Sequence, residues 1–579
     1  MKTPSPMRML FRAGAAVALL AAPGARAETI LHSRHNLSVS GTGDVRASTE
    51  TEVCIFCHTP HGGSNQAPLW NRFDAVGSYT PYTSSTSKAA PGQPTGSSKL
   101  CLSCHDGTVA LGMVRSRTRD IDMADGHTHM PAGATNLGQD LSDDHPVSFP
   151  YDASLAQRRK ELRNPASLTG EVRLDRNGEM QCTSCHDPHN NQFGDFLVVE
   201  DVRGALCLEC HDPDYWDASI HNLDTSTWSG AGDDPWPASD HTTVRDNACA
   251  NCHRSHNAGT PERLLTFLGE ERNCLVCHSG NVAARNMEPE FRKPSAHDVF
   301  AYIGVHDPGE NVADSAPHIE CVDCHNPHAM QAAEAGAGGL SGALLNVAGV
   351  TSDGATVAAI QQESELCYRC HGDYPHTDPI IPRHHAEPSV RMQFLAANDS
   401  FHPVESMGVN PDVPSLMLPY DETSQITCTS CHNNDQGPNT GGAGPNGPHG
   451  SIFHPLLERR LEMADGFTHG DATYAMCYKC HDPDSITANE SFAGHFQHVV
   501  DEKTSCITCH DPHGVQGATH LINFNLNEVT PFDGRLEYLD NGAGDITCTL
   551  TCHTVEHNDF NYLTLPPTPG PPVPSEPTP

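Results

Sequence analysis

The chain has 579 residues, including 45 prolines, 48 glycines and 24 cysteines, and its formal net charge is −38 at pH 7. So large a negative charge argues against nucleic acid or an anionic membrane as a partner, and it favours basic proteins, metal ions or mineral surfaces. A chain of this length normally folds as several domains, each with its own apolar core.

The N-terminal segment predicts export from the cytoplasm. Lys2 and Arg12 precede an apolar run at residues 13–22, and the Ala-Arg-Ala sequence at 25–27 is typical of a signal-peptide cleavage site. The apolar run is too short to span a bilayer, which disfavours an uncleaved anchor. We therefore predict a signal peptide at residues 1–27 and a mature protein in the periplasm or at the outer cell surface, with no transmembrane segment.

Every cysteine belongs to a short motif that ends in histidine. Eleven copies read Cys-x-x-Cys-His, and the last reads Cys-x-x-x-Cys-His. In chain order these motifs, called boxes 1 to 12, are Cys54/Cys57/His58, Cys101/Cys104/His105, Cys182/Cys185/His186, Cys207/Cys210/His211, Cys249/Cys252/His253, Cys274/Cys277/His278, Cys321/Cys324/His325, Cys367/Cys370/His371, Cys428/Cys431/His432, Cys477/Cys480/His481, Cys506/Cys509/His510 and Cys548/Cys552/His553.

The boxes have the chemistry of covalent haem attachment. Two cysteines separated by two residues can each add to one vinyl group of a haem, and the following histidine then binds the iron. Zinc ribbons and redox dithiols also use Cys-x-x-Cys, but they do not account for twelve boxes that consume every cysteine. We predict twelve c-type haems with the box histidines as proximal ligands. In box 12 the extra residue has to bulge if both cysteines are to bond one haem.

The spacing of the boxes divides the mature chain into four predicted modules. The longest gap, from Cys101 to Cys182, is the best candidate for a boundary. The modules are residues 28–165 with boxes 1 and 2, 166–290 with boxes 3 to 6, 291–400 with boxes 7 and 8, and 401–565 with boxes 9 to 12, followed by a proline-rich tail at 566–579.

Twelve haems leave too little protein to enclose each ring in a pocket of its own. The packed haems must then supply much of the apolar core, so folding is expected to depend on haem attachment. Prolines follow many boxes closely and stop helices early. We predict a mostly irregular, loop-built fold with short α-helices and few short strands, organised around stacked haems.

Histidine is abundant enough to supply a second ligand to every iron, because only 12 of the 38 histidines lie in boxes. A simple rule assigns an upstream histidine to each odd box and the second histidine of the CHxxH string to the next even box. The predicted distal ligands of boxes 1 to 12 are, in order, His35, His61, His145, His189, His241, His256, His318, His328, His402, His449, His498 and His513. His384, His454 and His495 are rivals, and most other surplus histidines are expected at the surface.

The haem-binding motifs and the histidines around them resemble those of the multihaem c-type cytochromes of the doubled-CxxCH type, which are known from bacteria that respire metals. The resemblance covers nearly all of the mature chain and rests on EVCIFCHTPHGG, KLCLSCHDGT, DDHPVSF, CTSCHDPH, GPNGPHGS and CYKCHDPDSI leading to CITCHDPHG. It implies a loop-built fold in which closely packed low-spin haems form a continuous electron path.

The leading functional prediction is an electron carrier without a catalytic site. Haems with two histidine ligands have no open coordination position, so electrons would pass from a quinol-linked or periplasmic donor to another cytochrome, an outer-membrane conduit or an extracellular acceptor, as in anaerobic respiration. A multihaem enzyme acting on nitrite, hydroxylamine or sulfur oxyanions is the alternative, but such enzymes commonly carry a CxxCK box, and this chain has none. A subunit of a cytochrome filament is the third reading.

Overall fold

The computed structural model describes residues 29–564 except for positions 169, 308, 309, 311–315, 317, 333–339, 374–379 and 543. The predicted signal peptide at 1–27 and the predicted tail at 566–579 lie outside the described residues. Within the described part of the chain, no helix combines the length and apolar character needed to cross a membrane.

The described chain is mostly irregular, as the sequence predicted, and its helices are short. Only three reach nine or ten residues, and these carry boxes 2, 6 and 8. The α-helices are α1 Gly96–His105, α2 Ala153–Arg159, α3 Cys182–Cys185, α4 Ala205–Leu208, α5 Ile220–Leu223, α6 Val244–Asn247, α7 Glu270–His278, α8 Cys321–Cys324, α9 Glu363–His371, α10 Val390–Gln393, α11 Pro483–Thr487 and α12 Cys506–Cys509.

The strands are equally short, and all the pairings between these strands are antiparallel. The strands are β1 Phe149–Pro150, β2 Glu179–Met180, β3 Ser295–Ala296, β4 Gly349–Val350, β5 Thr356–Val357, β6 Ser400–Phe401, β7 Gly450–Ser451, β8 Gly514–Val515, β9 Val529–Thr530, β10 Glu537–Asp540, β11 Ile546–Cys552 and β12 Val555–Asn561. Strands β9 to β12 form one four-stranded sheet, and the others form the two-stranded pairs β1–β2, β3–β7, β4–β5 and β6–β8.

The local sequence explains why a box helix is only one turn long. Helix α3 spans the two cysteines of box 3 and begins with a capping box, in which the side chains of Gln181 and Ser184 each bond the other residue's backbone. His186 then has extended backbone angles, with φ −123° and ψ 133°. Pro188 follows two residues later and prevents the helix from continuing.

Apolar packing is dispersed among small clusters. One cluster joins Phe149, Tyr151 and Leu155 to Val172 and Met180. It therefore connects residues on both sides of the boundary predicted at 165/166, and the β3–β7 pair likewise bridges 400/401. The four modules stay a prediction, with packing and strand pairing shared between them.

Candidate haem sites

Each regular box holds its histidine at a fixed place relative to its first cysteine. In boxes 2, 6 and 8 the histidine ends a helix that also contains both cysteines. In the other eight regular boxes the histidine N–H donates to the carbonyl oxygen of the first cysteine, at 2.8–3.0 Å. One turn of backbone thus presents two thiols and an imidazole together, which is the arrangement that haem attachment requires.

The box histidines of the eleven regular boxes each face a second histidine. The ring centres within these pairs are 6.1–6.4 Å apart. In box order the pairs are His58 with His189, His105 with His35, His186 with His256, His211 with His145, His253 with His328, His278 with His221, His325 with His449, His371 with His297, His432 with His513, His481 with His402 and His510 with His495.

This spacing fits an iron held between two imidazoles. A metal–nitrogen bond is about 2 Å long, so two rings that share one metal have their centres about 6 Å apart. Aromatic pairs that cannot share a metal span a range of distances, from 4.1 Å for His35 and Phe196 to 6.2 Å for Phe492 and His498. The feature that fits haem ligation is that all eleven regular box histidines face another histidine within one narrow range of distance.

Hydrogen bonds to Nδ1 orient many of these rings. His186 donates from Nδ1 to the carbonyl oxygen of Asp195 at 2.8 Å, and His253 does the same to Arg263 at 2.8 Å. His105 bonds Thr135 in this way at 2.7 Å. A proton fixed on Nδ1 leaves the lone pair on Nε2, which is the atom that a metal would take.

Burial favours the neutral form of several of the paired histidines. It lowers the pKa of His449 and His495 to about 3 and that of His35 to about 4. The cause is the cost of placing an imidazolium charge in a low-dielectric environment. Neutral imidazole is the form that can bind a metal, so these side chains are ready as ligands at neutral pH.

The strings that follow boxes 3, 7, 9 and 11 each have two roles. In box 3 the string ends in Pro188 and His189: His189 faces the box 1 histidine, while the Pro188 carbonyl accepts a hydrogen bond from His35, the partner of box 2. The other carbonyls that act in this way, each on the histidine facing an even box, are Pro327 on His221, Pro448 on His297 and Pro512 on His402. Each of these strings thus organises the two preceding boxes.

The pairing predicted from the sequence does not match these contacts. It placed His189 with box 4 and His145 with box 3, whereas His189 faces His58 of box 1 and His145 faces His211 of box 4. The prediction allowed each string to serve only the next box, but the chain folds back by two boxes. Short strands hold this return path: β3 precedes His297 and pairs with β7, which follows His449.

Three predicted distal ligands lie outside the described ring pairs. His61 is exposed, His241 is partly exposed, and His318 packs on Tyr302 with its Nε2 3.3 Å from Glu310. The other nine lie in pairs, and their role as ligands stays a prediction. The strings of boxes 3 and 5 each face the box two positions earlier, and this sequence has no box before box 1 that His61 could face.

Four paired histidines are not among the predicted distal ligands. They are His221, His297, His495 and His557. His495 was at least a rival, because it lies three residues before His498. No nearby sequence motif marks His221 or His297 as a ligand, because the hydrogen bonds that position them come from prolines more than 100 residues away.

The cysteines connect the sites in chain order. All 24 are free of disulfides, and thiols of consecutive boxes interact in alternation. First cysteines meet between boxes 2 and 3, 4 and 5, 6 and 7, 8 and 9, and 10 and 11: Cys101 with Cys182, Cys207 with Cys249, Cys274 with Cys321, Cys367 with Cys428 and Cys477 with Cys506. Second cysteines interact electrostatically between the remaining neighbours: Cys57 with Cys104, Cys185 with Cys210, Cys252 with Cys277, Cys324 with Cys370, Cys431 with Cys480 and Cys509 with Cys552.

Comparison with known families agrees with this chemistry. The family model described as "Doubled CXXCH motif" matches residues 176–215, which contain boxes 3 and 4. No curated protein matches the chain. The doubled motif indicates a multihaem c-type cytochrome, a class that binds haem covalently and transfers electrons.

Proposed function

We propose that this protein is an exported electron carrier with twelve covalently bound haems, each held by two histidines. The observation that supports the proposal most strongly is the set of eleven box histidines, each facing a second imidazole at the spacing of two metal bonds. Ligation by two histidines leaves no position for a substrate, which favours electron transfer over catalysis at the iron.

The alternating cysteine contacts support an unbroken path from box 1 to box 12. Consecutive sites are neighbours in space, and the first and last boxes mark the two ends of the series. We propose that electrons enter near one end and leave near the other. A linear series needs no movement of the chain during transfer, because each site has its neighbours already in place.

The partners are proposed from class and charge. Other redox proteins in the periplasm or at the outer cell surface, including cytochromes, a quinol-linked donor and an outer-membrane conduit, suit a c-type cytochrome of this kind. The charge of −38 favours basic contact surfaces and cationic or mineral acceptors.

The proposal is tested on the purified, haem-loaded protein. Intact mass counts the haems, and electron paramagnetic resonance of the oxidised protein determines their spin state. We expect twelve haems, all low-spin, and a reduced spectrum that carbon monoxide leaves unchanged. A stoichiometric high-spin haem that binds carbon monoxide or nitrite would instead favour an enzyme.

A further inference from the structure

Box 12 differs in structure from the other eleven. Its two cysteines lie on strand β11 rather than around a single turn. Its histidine, His553, has a positive φ of 47° just beyond the strand, and Nε2 lies 2.6 Å from Oδ2 of Asp465. His553 is not part of any ring pair among the described residues, so it is the one box histidine placed away from a second imidazole.

A twelfth histidine pair nevertheless exists beside this box. The ring centres of His498 and His557 are 6.3 Å apart and their planes differ by 29°, which matches the spacing of the other eleven pairs. His498 lies in a π-helical turn, Phe496–Asp501, and its Nδ1 donates to the Gly494 carbonyl at 2.7 Å. Its Nε2 therefore carries the lone pair and points away from the chain that anchors it.

The sheet places this pair on the same face as the box 12 cysteines. His557 on β12 lies directly opposite Leu550 on β11, and residues opposite each other in an antiparallel pair project to the same face. The pairing of β11 with β12 carries a β-bulge between Cys548 and Leu550. Cys548 and Leu550 nevertheless share one buried cluster, against which Cys552 packs, so both cysteines lie on the same face as Leu550. Both thiols also interact electrostatically with Cys509 of box 11, and the interaction of Cys509 with Cys552 continues the alternation seen between the earlier boxes.

The strings that follow odd boxes do not face box 11 or box 12. Strings after boxes 3, 5, 7, 9 and 11 supply histidines to boxes 1, 3, 5, 7 and 9. The histidines that pair beside boxes 11 and 12 therefore come from another segment. The π-helical turn and the residue before it provide His495 for box 11 and His498 for the last site.

We propose that His498 and His557 are the axial ligands of the twelfth haem and that His553 of the box is not a ligand. The inference rests on the proposed function, since it concerns one site of the proposed series. It assigns to the last haem a proximal histidine five residues after the second cysteine instead of the next residue. The Asp465 carboxylate holds His553 outside the site.

Two features of this site have to change when haem is attached. The Tyr562 hydroxyl lies in the gap, 3.3 Å from Nε2 of His498 and 3.2 Å from Nδ1 of His557, so its side chain must turn away. The strand also separates cysteines four residues apart by about 13 Å, which exceeds the distance across one helical turn. Attachment therefore requires β11 to bend or leaves one cysteine unbonded.

The decisive variant is His557→Ala, because it leaves the attachment motif intact. We expect twelve haems by intact mass and one haem in twelve converted from low-spin to high-spin, with added imidazole restoring the low-spin signal. His129→Ala, which removes an exposed histidine, is the matched control and should leave all haems low-spin. A His557→Ala protein that keeps twelve low-spin haems overturns the assignment.

Two further results separate this inference from the proposed function. A wild-type mass with eleven haems, all low-spin, contradicts the twelfth ligand pair but remains consistent with the proposed function as an electron carrier. A wild-type protein in which most haems are high-spin contradicts the proposed function itself. His498→Ala should reproduce the high-spin signal of His557→Ala. If it does not, His498 and His557 are not the two ligands of one haem.

Discussion

At the scale of single residues, hydrogen bonds to Nδ1 orient the histidine side chains for binding a metal. A ring that donates from Nδ1 to a backbone carbonyl cannot rotate freely, and its Nε2 keeps the lone pair. His221 shows the arrangement clearly, since Pro327 fixes its Nδ1 at 2.9 Å while its ring faces His278. A residue far away in sequence thus decides which nitrogen can bind metal.

Matched substitutions in two CHxPH strings test the pairing at this scale. His189→Ala removes the imidazole that faces His58, so we expect one high-spin haem in twelve, visible by electron paramagnetic resonance and reversed by added imidazole. His61→Ala changes the equivalent position of box 1, where the side chain is exposed, and should give no high-spin signal. A high-spin haem in both variants would mean that each string serves the next box, and no high-spin haem in His189→Ala would mean that His189 is not a ligand.

Between elements, polar side chains join consecutive boxes where their first cysteines meet. Gln181, which is 1% exposed and caps α3, accepts a hydrogen bond from Ser98 Oγ of α1 at 2.7 Å. Ser98 Oγ in turn accepts from the backbone N–H of Cys182 at 3.0 Å. Box 8 has a similar contact, in which Glu363 of α9 accepts from the N–H and hydroxyl of Thr429 in box 9.

Removal of the Gln181 side chain should destabilise the contact between boxes 2 and 3. Gln181→Ala leaves the buried Ser98 hydroxyl without its acceptor, and an unsatisfied buried polar group costs about 1–3 kcal/mol. We expect a lower midpoint of urea unfolding for the haem-loaded protein. Gln192→Ala, at an exposed position, is the control, and equal midpoints for the two variants would show that the Gln181 contact adds no stability.

At the scale of the whole molecule, local features could be predicted from the sequence and long-range contacts could not. Covalent motifs such as Cys182/Cys185/His186 are local, so twelve boxes and a loop-rich fold could be predicted directly. The histidine that faces His58 could not be predicted, because His189 comes close to His58 only after the chain folds back through irregular segments. Two-residue strands such as β3 and β7 guide this path, and a strand of that length has no detectable sequence pattern.

The net charge of the whole chain should control how fast redox partners approach. We expect a cationic viologen to react with the protein faster than an anionic mediator of similar potential, by about tenfold or more at low ionic strength. The difference should shrink at about 1 M salt, where the screening length falls to about 3 Å. Stopped-flow reduction measures both rates. A ratio of the two rates that stays the same at all salt concentrations would show that the charge of −38 has no influence on encounter.

An experimental structure of the haem-loaded protein tests the central claim most directly, because it locates every iron and its two ligands. The account predicts an iron between His58 and His189, another between His105 and His35, and so on through the eleven regular boxes in an unbroken series. An iron between His211 and His189, or a break in the series between consecutive boxes, would contradict it.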